Sequence, residues 1–432
     1  MTAHRIHEPG SSAALTRRAF LNRAFLTAGA AAFVSMAAAC GSDTTTATST
    51  ASASTTAASG MGGPPAGGGG GMGDQTLTDF VGITTDGSVV EDLYAIRSTS
   101  VSTTPVRTAV EAYLAALSAD QKSSSMFALP PDDVTSDEFR LWSNVDGYQR
   151  QGVKLEDLTA AQKTLALGIL SAALSAKGLK TSETIRRLNT TAGELVGEES
   201  RFNEELYYFT FLGTPSDTDP WGFQFEGHHL VLNYFVLGDQ VVMTPSFYGT
   251  EPRVAPSGKT YAGLSAFDDE LAAGIAMINA LDSTQQAKAV VQSDKTGDNN
   301  VAEAFGDNTQ VPYQGILASE LTAAQQSQLF DLVAMFVHED DDHAAIRMDE
   351  IRAKVSETHF SWVGGTAEDA VFYFRVQSPV VLLQFDCQGP GPIGQGSGVS
   401  GVTRNHIHSI IRTPNGNDYG KDLLALHLAA DH

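Results

Sequence analysis

The chain has 432 residues, with 50 acidic against 27 basic side chains and a formal net charge of −23. So acidic a surface argues against nucleic acid as a partner and against direct adhesion to anionic lipid, both of which need a positive face.

The N-terminus reads as an export signal. Thr16-Arg17-Arg18-Ala19-Phe20-Leu21 sets paired arginines just ahead of an apolar stretch, Ala24 to Ala39, broken only by Thr27, Gly29 and Ser35. That is the pattern of a twin-arginine signal. The stretch is too short, and too rich in Ala and Gly, to cross about 30 Å of hydrocarbon as a stable helix. It ends in Ala37-Ala38-Ala39-Cys40-Gly41, which resembles a lipoprotein cleavage box with Cys40 as the lipidated residue. The expectation is an exported protein held by its lipid at the extracytoplasmic face of the cell membrane. Twin-arginine export carries folded proteins, which raises the expectation of a cofactor loaded before export. Lipidation of Cys40 leaves only Cys387, so no internal disulfide is expected. Removing the signal takes away Arg5, Arg17, Arg18 and Arg23 against Glu8, so the mature charge is −23 − 3 = −26.

From Ser42 to about Gly73 the chain is almost entirely Ser, Thr, Ala, Gly and Pro. Such a composition cannot bury enough apolar surface to offset chain entropy, and a disordered tether (41–74) reaching roughly 30 Å is expected. The body, residues 75–432, reads as one large domain.

Its first half is helical by pattern: Pro105 to Leu117, a capping-box start at Thr159-Ala160-Ala161-Gln162 running to about Ala176, and Ser182 to Leu195. The period then changes. Leu206 to Leu212 is aromatic and β-like, and Trp221 to Gln224 leads into a long run, Phe225 to Leu237, which Gly238-Asp239 turns back into Val241 to Met243. Helices return at Ala266 to Leu281, Ser283 to Val291, Ala318 to Val337 and His343 to Val355. The end is strand-like again at Val371 to Val376, Val380 to Phe385 and Ile407 to Arg412. Two strand blocks flanked by helices predict an α+β fold with a mainly antiparallel sheet. No period of repeat stands out.

Candidate chemistry lies in the strand blocks. Glu226-Gly227-His228-His229 falls in the first, and Asn405-His406-Ile407-His408 opens the last strand. Alternation along a strand puts His406 and His408 on one face, about 6.5–7 Å apart, and pairs Glu226 with His228 in the same way. If the two strands are neighbours, His228, His406, His408 and Glu226 form a ligand set for zinc, iron, manganese or copper. A buried polar network without metal is the other reading of the same residues. Arg412 shares the His406 face and could clamp an anion or pair with Glu226. Asp386, His229 and His427 are secondary candidates for ligation, and Glu226 or His229 for a base.

Other motifs fail. His338-Glu339-Asp340-Asp341-Asp342-His343 resembles a metalloprotease helix, but the second His falls at i+5, about 140° around the helix from the first, and an acidic solvated helix junction fits better. Asp294 to Glu303 lacks the spacing of a calcium loop. Gly394-Gln395-Gly396-Ser397-Gly398 is out of register for a nucleophile elbow. No phosphate loop or dinucleotide fingerprint is present, and Cys387 reads as a passive thiol.

Several motifs together are similar to those of a bacterial domain-of-unknown-function family numbered 3500. They are Leu141-Trp142-Ser143-Asn144, Gly152-Val153-Lys154-Leu155, Glu205 to Phe209, Gly213-Thr214-Pro215-Ser216, Pro220-Trp221-Gly222, Glu226 to Leu230, Thr244 to Gly249, Asn405 to His408, Asp418-Tyr419-Gly420 and His427. The resemblance covers about residues 105 to 428 and implies no established activity. It places Glu226, His228, His229, His406, His408 and His427 on the family's motif positions. The loop Gly389 to Thr403 is longer than the family pattern, and Arg412-Thr413 stands where Arg-Asp is expected.

Two functions follow as expectations. One is a lipid-anchored metalloprotein, with hydrolysis or oxidation as its chemistry. The other is a non-catalytic lipoprotein that captures a small molecule or a partner protein.

Overall fold

The computed structural model describes residues 77–394 and 400–430. The expected signal, Cys40 and the tether lie outside the described residues.

The chain passes twice through one plan. The first pass is α1 (Thr104–Ala116), α2 (Ala119–Ser125), β1 (Met126–Phe127), β2 (Val153–Lys154), α3 (Ala160–Ala173), α4 (Ala176–Val196), β3 (Tyr207–Leu212), β4 (Trp221–Gly227), β5 (Leu230–Leu237), β6 (Gln240–Val242) and β7 (Ser246–Thr250). The second is α5 (Asp268–Asn279), α6 (Ser283–Ala289), β8 (Val290–Gln292), β9 (Ile316–Leu317), α7 (Ala323–Ala334), α8 (Asp341–Arg352), β10 (His359–Gly364), β11 (Phe372–Gln377), β12 (Leu382–Cys387) and β13 (Ile407–Arg412). A last helix, α9 (Lys421–Ala430), follows. One sheet takes all the strands in the order β1-β3-β4-β5-β7-β13-β12-β11-β10-β8, with β2 on β3, β6 on β5 and β9 on β10. That order is its own mirror about the β7·β13 pair, so the two passes are related by a pseudo-two-fold axis.

Details repeat as well. Glu226 pairs with Val231, and Gln377 pairs with Leu382, at the same place in the two hairpins. The capping boxes Thr159/Gln162 and Thr322/Gln325 start the matching helices α3 and α7. Each Gln then donates to the end of the preceding helix layer, Gln162 to Ala116 O and Gln325 to Ala280 O. Gly152 (φ +86°) and Gly315 (φ +89°) lie so close to β3 and β10 that a Cβ would stand 2.1 Å from Phe209 O and 2.0 Å from Phe360 O. The segments that carry them, Gln151-Gly152 to Leu158-Thr159-Ala160-Ala161-Gln162 and Gln314-Gly315 to Leu321-Thr322-Ala323-Ala324-Gln325, share a sequence pattern. The two halves share this plan although no period of repeat stands out in the sequence. The match resides in a few structural residues spread over long units rather than in a short period.

The expectation of a mainly antiparallel sheet is corrected to a mixed one. β1 runs parallel to β3, and β8 runs parallel to β10. A pair of helices separates each of these strands in sequence, which gives the chain the length to return in the same direction. Among the described residues no helix is long and apolar enough to cross a membrane.

The faces of the sheet differ. Phe209, Phe225, Leu232, Tyr248, Phe374, Phe385 and Ile407 pack with helix residues such as Ile169, Leu188, Leu329 and Ile351 in the large core. Alternate residues, Val231, Phe235, Phe247 and Ile410, pack on Phe139, Trp142, Tyr419 and Leu423 in a second core. Glu226, His408 and Arg412 share this second face and are buried there.

Candidate metal centre

The long run Phe225 to Leu237 is two strands. Gly227 pairs with Leu230, so His228 and His229 form the two-residue turn of the β4–β5 hairpin. His229 takes φ +63°, a left-handed conformation that His tolerates better than most residues. Its backbone is fixed on both sides: its N–H donates to Asn144 O at 3.0 Å, and its carbonyl accepts from Gly249 N–H at 2.8 Å. The Tyr207 hydroxyl donates to His228 O at 2.8 Å. Gly249 faces His408 across β7·β13, and a Cβ there would lie 3.2 Å from His408 Cδ2 and 2.8 Å from Ile407 O. A side chain at that position would press on the imidazole.

This turn brings His229 onto His406 and His408. The three Nε2 atoms form a triangle with sides of 3.0 Å (His406 to His408), 3.2 Å (His408 to His229) and 3.4 Å (His406 to His229). They make up a buried group whose ligand atoms could hold one metal ion. Ligands about 2.0–2.1 Å from a metal stand about 3.3–3.4 Å apart at tetrahedral angles and about 2.8–3.0 Å apart at right angles, which brackets all three sides.

The outer nitrogens explain why Nε2 points inward. His406 Nδ1 lies 2.6 Å from Gly389 O, and His408 Nδ1 lies 2.9 Å from Glu303 Oε1. A carbonyl or carboxylate oxygen only accepts, so Nδ1 carries the proton in both rings and Nε2 presents its lone pair. Glu303 is itself held, since Asn300 Nδ2 donates to Oε1 at 2.8 Å and Asn144 Nδ2 lies 3.5 Å from Oε2. Asn144 thus supports both His229, through its carbonyl, and Glu303, through its amide. His228 stacks on His229 at 3.9 Å between centroids, and Phe247 meets His408 edge-on at 4.9 Å.

Burial and mutual repulsion push His229 well below the usual histidine range, and burial with the neighbouring His408 takes His406 down to about 3. Burial also opposes charge on His408, but the Glu303 carboxylate outweighs it and raises that ring. His229 and His406 are thus held neutral, while a carboxylate stands behind His408.

The other residues singled out in the sequence lie elsewhere. His228 is not a corner of the triangle, and its Nδ1 meets Asn189 Oδ1 at 2.8 Å. The expected alternation fails because the hairpin turns between Gly227 and Leu230. The Glu226 and His406 strands are not neighbours either, since β5 and β7 lie between β4 and β13. Glu226 accepts from Ser143 N–H and Arg150 Nε, each at 3.2 Å, and burial raises its carboxyl to about 7. Arg412 is engaged by the protein: Nε donates to Ala302 O, Nη1 to Asp307 and Asp418, and Nη2 to Glu303 O. It anchors the segment that carries Glu303 and is not an open anion clamp.

Asp386 sits opposite His408 in the sheet but pairs with Lys295 at 2.9 Å and accepts from Asn299 and Asn300 N–H. His427 lines a separate cleft beside Asp217 and Asp239. Cys387 is buried, and its thiol is pushed up to about 11, in keeping with a passive role. The junction at His338 to His343 is solvated in part: Asp341 and Asp342 are exposed, but His338, Glu339 and His343 are buried. Glu303 was missed in the sequence. It sits in a polar loop, and no local pattern shows that Arg412 and Asp386 fold that loop onto His408.

This is a mixed α/β protein of two similar halves, with a buried three-histidine cluster at one side of their shared sheet. The chain belongs to the family described as protein of unknown function (DUF3500), whose model matches residues 99–421. No curated protein and no solved structure matches the chain.

Proposed function

We propose that this protein is an exported, lipid-anchored metalloenzyme that uses one transition-metal ion, zinc first among those the ligands suit, to assist hydrolysis of a small molecule. The observation that carries this reading is the triangle of three inward-facing Nε2 atoms. Three neutral imidazoles leave the ion's charge undiminished, so it acts as a strong Lewis acid on water or a carbonyl. Hydrolysis is favoured over oxidation because the set lacks the carboxylate of the two-histidine, one-carboxylate iron centres.

Three protein ligands leave a position open, as catalytic rather than structural sites do. His229, His406 and His408 are each 6–8% exposed, so the cluster is not fully sealed from solvent. Within this scheme Glu303 and Gly389 O fix the rings of His408 and His406, and the hairpin turn fixes His229. Export and anchoring rest on the arginine pair, the apolar stretch and Cys40.

The test is elemental analysis of the full chain purified without chelator or histidine tag. One equivalent of metal is expected in the wild type and in His228→Ala, with loss in His229→Ala, His406→Ala and His408→Ala. Metal-free wild-type protein that also fails to take up added zinc, iron, manganese or copper would overturn the proposal.

A further inference from the structure

The pseudo-two-fold axis assigns every residue of the metal centre a counterpart in the other half of the sheet. Asp386 pairs with His408 in β12·β13, and at the matching place Phe235 pairs with Val242 in β5·β6. One step outward, Gln388 N–H bonds His406 O, and the matching pair is Leu237 with Gln240. The tip of the β4–β5 hairpin, His228-His229, corresponds to Pro379-Val380 at the tip between β11 and β12. His408, His406 and His229 are thus replaced by Val242, Gln240 and Val380. All three line one cleft of about 300 Å³, at the small end of the range for ligand sites.

The replacements remove metal chemistry and leave an apolar floor, extended by Met243, Leu423 and Tyr94. The polar groups at its edge are largely satisfied. Arg347 donates to Val380 O at 2.6 Å and Thr413 Oγ1 at 3.0 Å, and it reaches Glu350 at 3.5 Å. Arg97 pairs with Glu350, and Lys354 pairs with Glu357. Glu339 differs. It lines the cleft and is only 5% exposed. Among the described residues its carboxylate takes no side-chain hydrogen bond and no direct ion pair. Burial raises its carboxyl above the ordinary range. Its own backbone N–H is the donor that reaches it, with the charges of Arg347 and His343 acting from further off, and a buried carboxylate so sparsely donated to is costly unless a ligand adds donors.

We infer that this cleft is a second, metal-free binding site for a small organic ammonium ion, whose apolar body rests on Val242, Met243 and Val380 while its N–H groups donate to Glu339. The strongly acidic chain draws such cations toward it. The site is independent of the metal centre, so either reading can fail without the other.

The probe is cyclohexylmethylamine, titrated into the full chain by calorimetry, with cyclohexanecarboxylate and methylammonium as comparisons. The inference expects one equivalent of the amine to bind at least tenfold more tightly than either comparison. Glu339→Gln, which keeps the shape of the side chain, and Val242→Trp, which fills the floor, are each expected to weaken the amine at least tenfold. A wild-type circular dichroism spectrum and a cooperative urea transition in both variants report that the sheet has folded. Equal binding of the carboxylate or of methylammonium would overturn the assignment. So would affinity for the amine that both folded variants leave unchanged.

Discussion

Glu303 gives the sharpest handle on the proposed centre, because it touches His408 without being a ligand. Glu303→Gln keeps the side-chain length and an oxygen able to accept from His408 Nδ1 at the 2.9 Å contact, but removes the charge. A hydrogen bond to a charged group contributes about 1.5–3 kcal/mol, against about 0.5–1.5 for a neutral one, so roughly 1–2 kcal/mol of support to the imidazole is lost. The new amide nitrogen takes the place of Oε2, 3.5 Å from Asn144 Nδ2, where two donors would face each other. Changes of this kind behind a metal-bound histidine typically cost about 10–100-fold in affinity. Competition against a chromophoric chelator would measure this, with zinc affinity expected to fall by about that factor at unchanged stoichiometry. An affinity within twofold of wild type would refute the idea that Glu303 supports a metal ligand.

Other variants test neighbouring parts of the account. His228→Ala is expected to keep one equivalent of metal while losing about 1–3 kcal/mol of stability in urea melts, because it strips the Asn189 contact and the ring stacked on His229. Gly315→Ala puts a Cβ 2.0 Å from Phe360 O at φ +89° and should cost about 2–4 kcal/mol, seen as a lower melting temperature; a neutral result would contradict the close approach on which the repeat depends. Glu226 ties stability to pH. Its folded carboxyl, raised to about 7, holds a proton that the unfolded chain has released, so its contribution is fully present below about pH 4.5 and is lost as pH rises to about 7. The loss is on the order of 3 kcal/mol, and Glu226→Gln should flatten that part of the profile; an unchanged profile would show that the group titrates normally.

Much of the fold was legible because its signals are local. The Thr159 and Thr322 capping boxes, the Gly238-Asp239 turn and the alternating strands around Phe374 and Ile410 all stand where their patterns put them. The site was legible in part. His406 and His408 converge because they open one strand two residues apart. The parity of His228 and His229 was misread because neither is a usual turn residue, and the turn there depends on non-local contacts from Asn144, Tyr207 and Gly249. Arg412 drew attention as a buried cation near histidines, but only the fold brings Asp307, Asp418 and the carbonyls of Ala302 and Glu303 around it. Glu303 and the duplicated cleft depend wholly on contacts distant in sequence.

X-ray absorption at the edge of the metal that co-purifies with the full chain reads the proposed three-imidazole ligation itself. The account predicts three imidazole nitrogens at about 2.0–2.1 Å, with the remaining ligands light oxygen donors, and one imidazole fewer or no metal in His229→Ala. A spectrum that is identical in His229→Ala, or that shows sulfur or carboxylate ligation in place of the imidazoles, would contradict it.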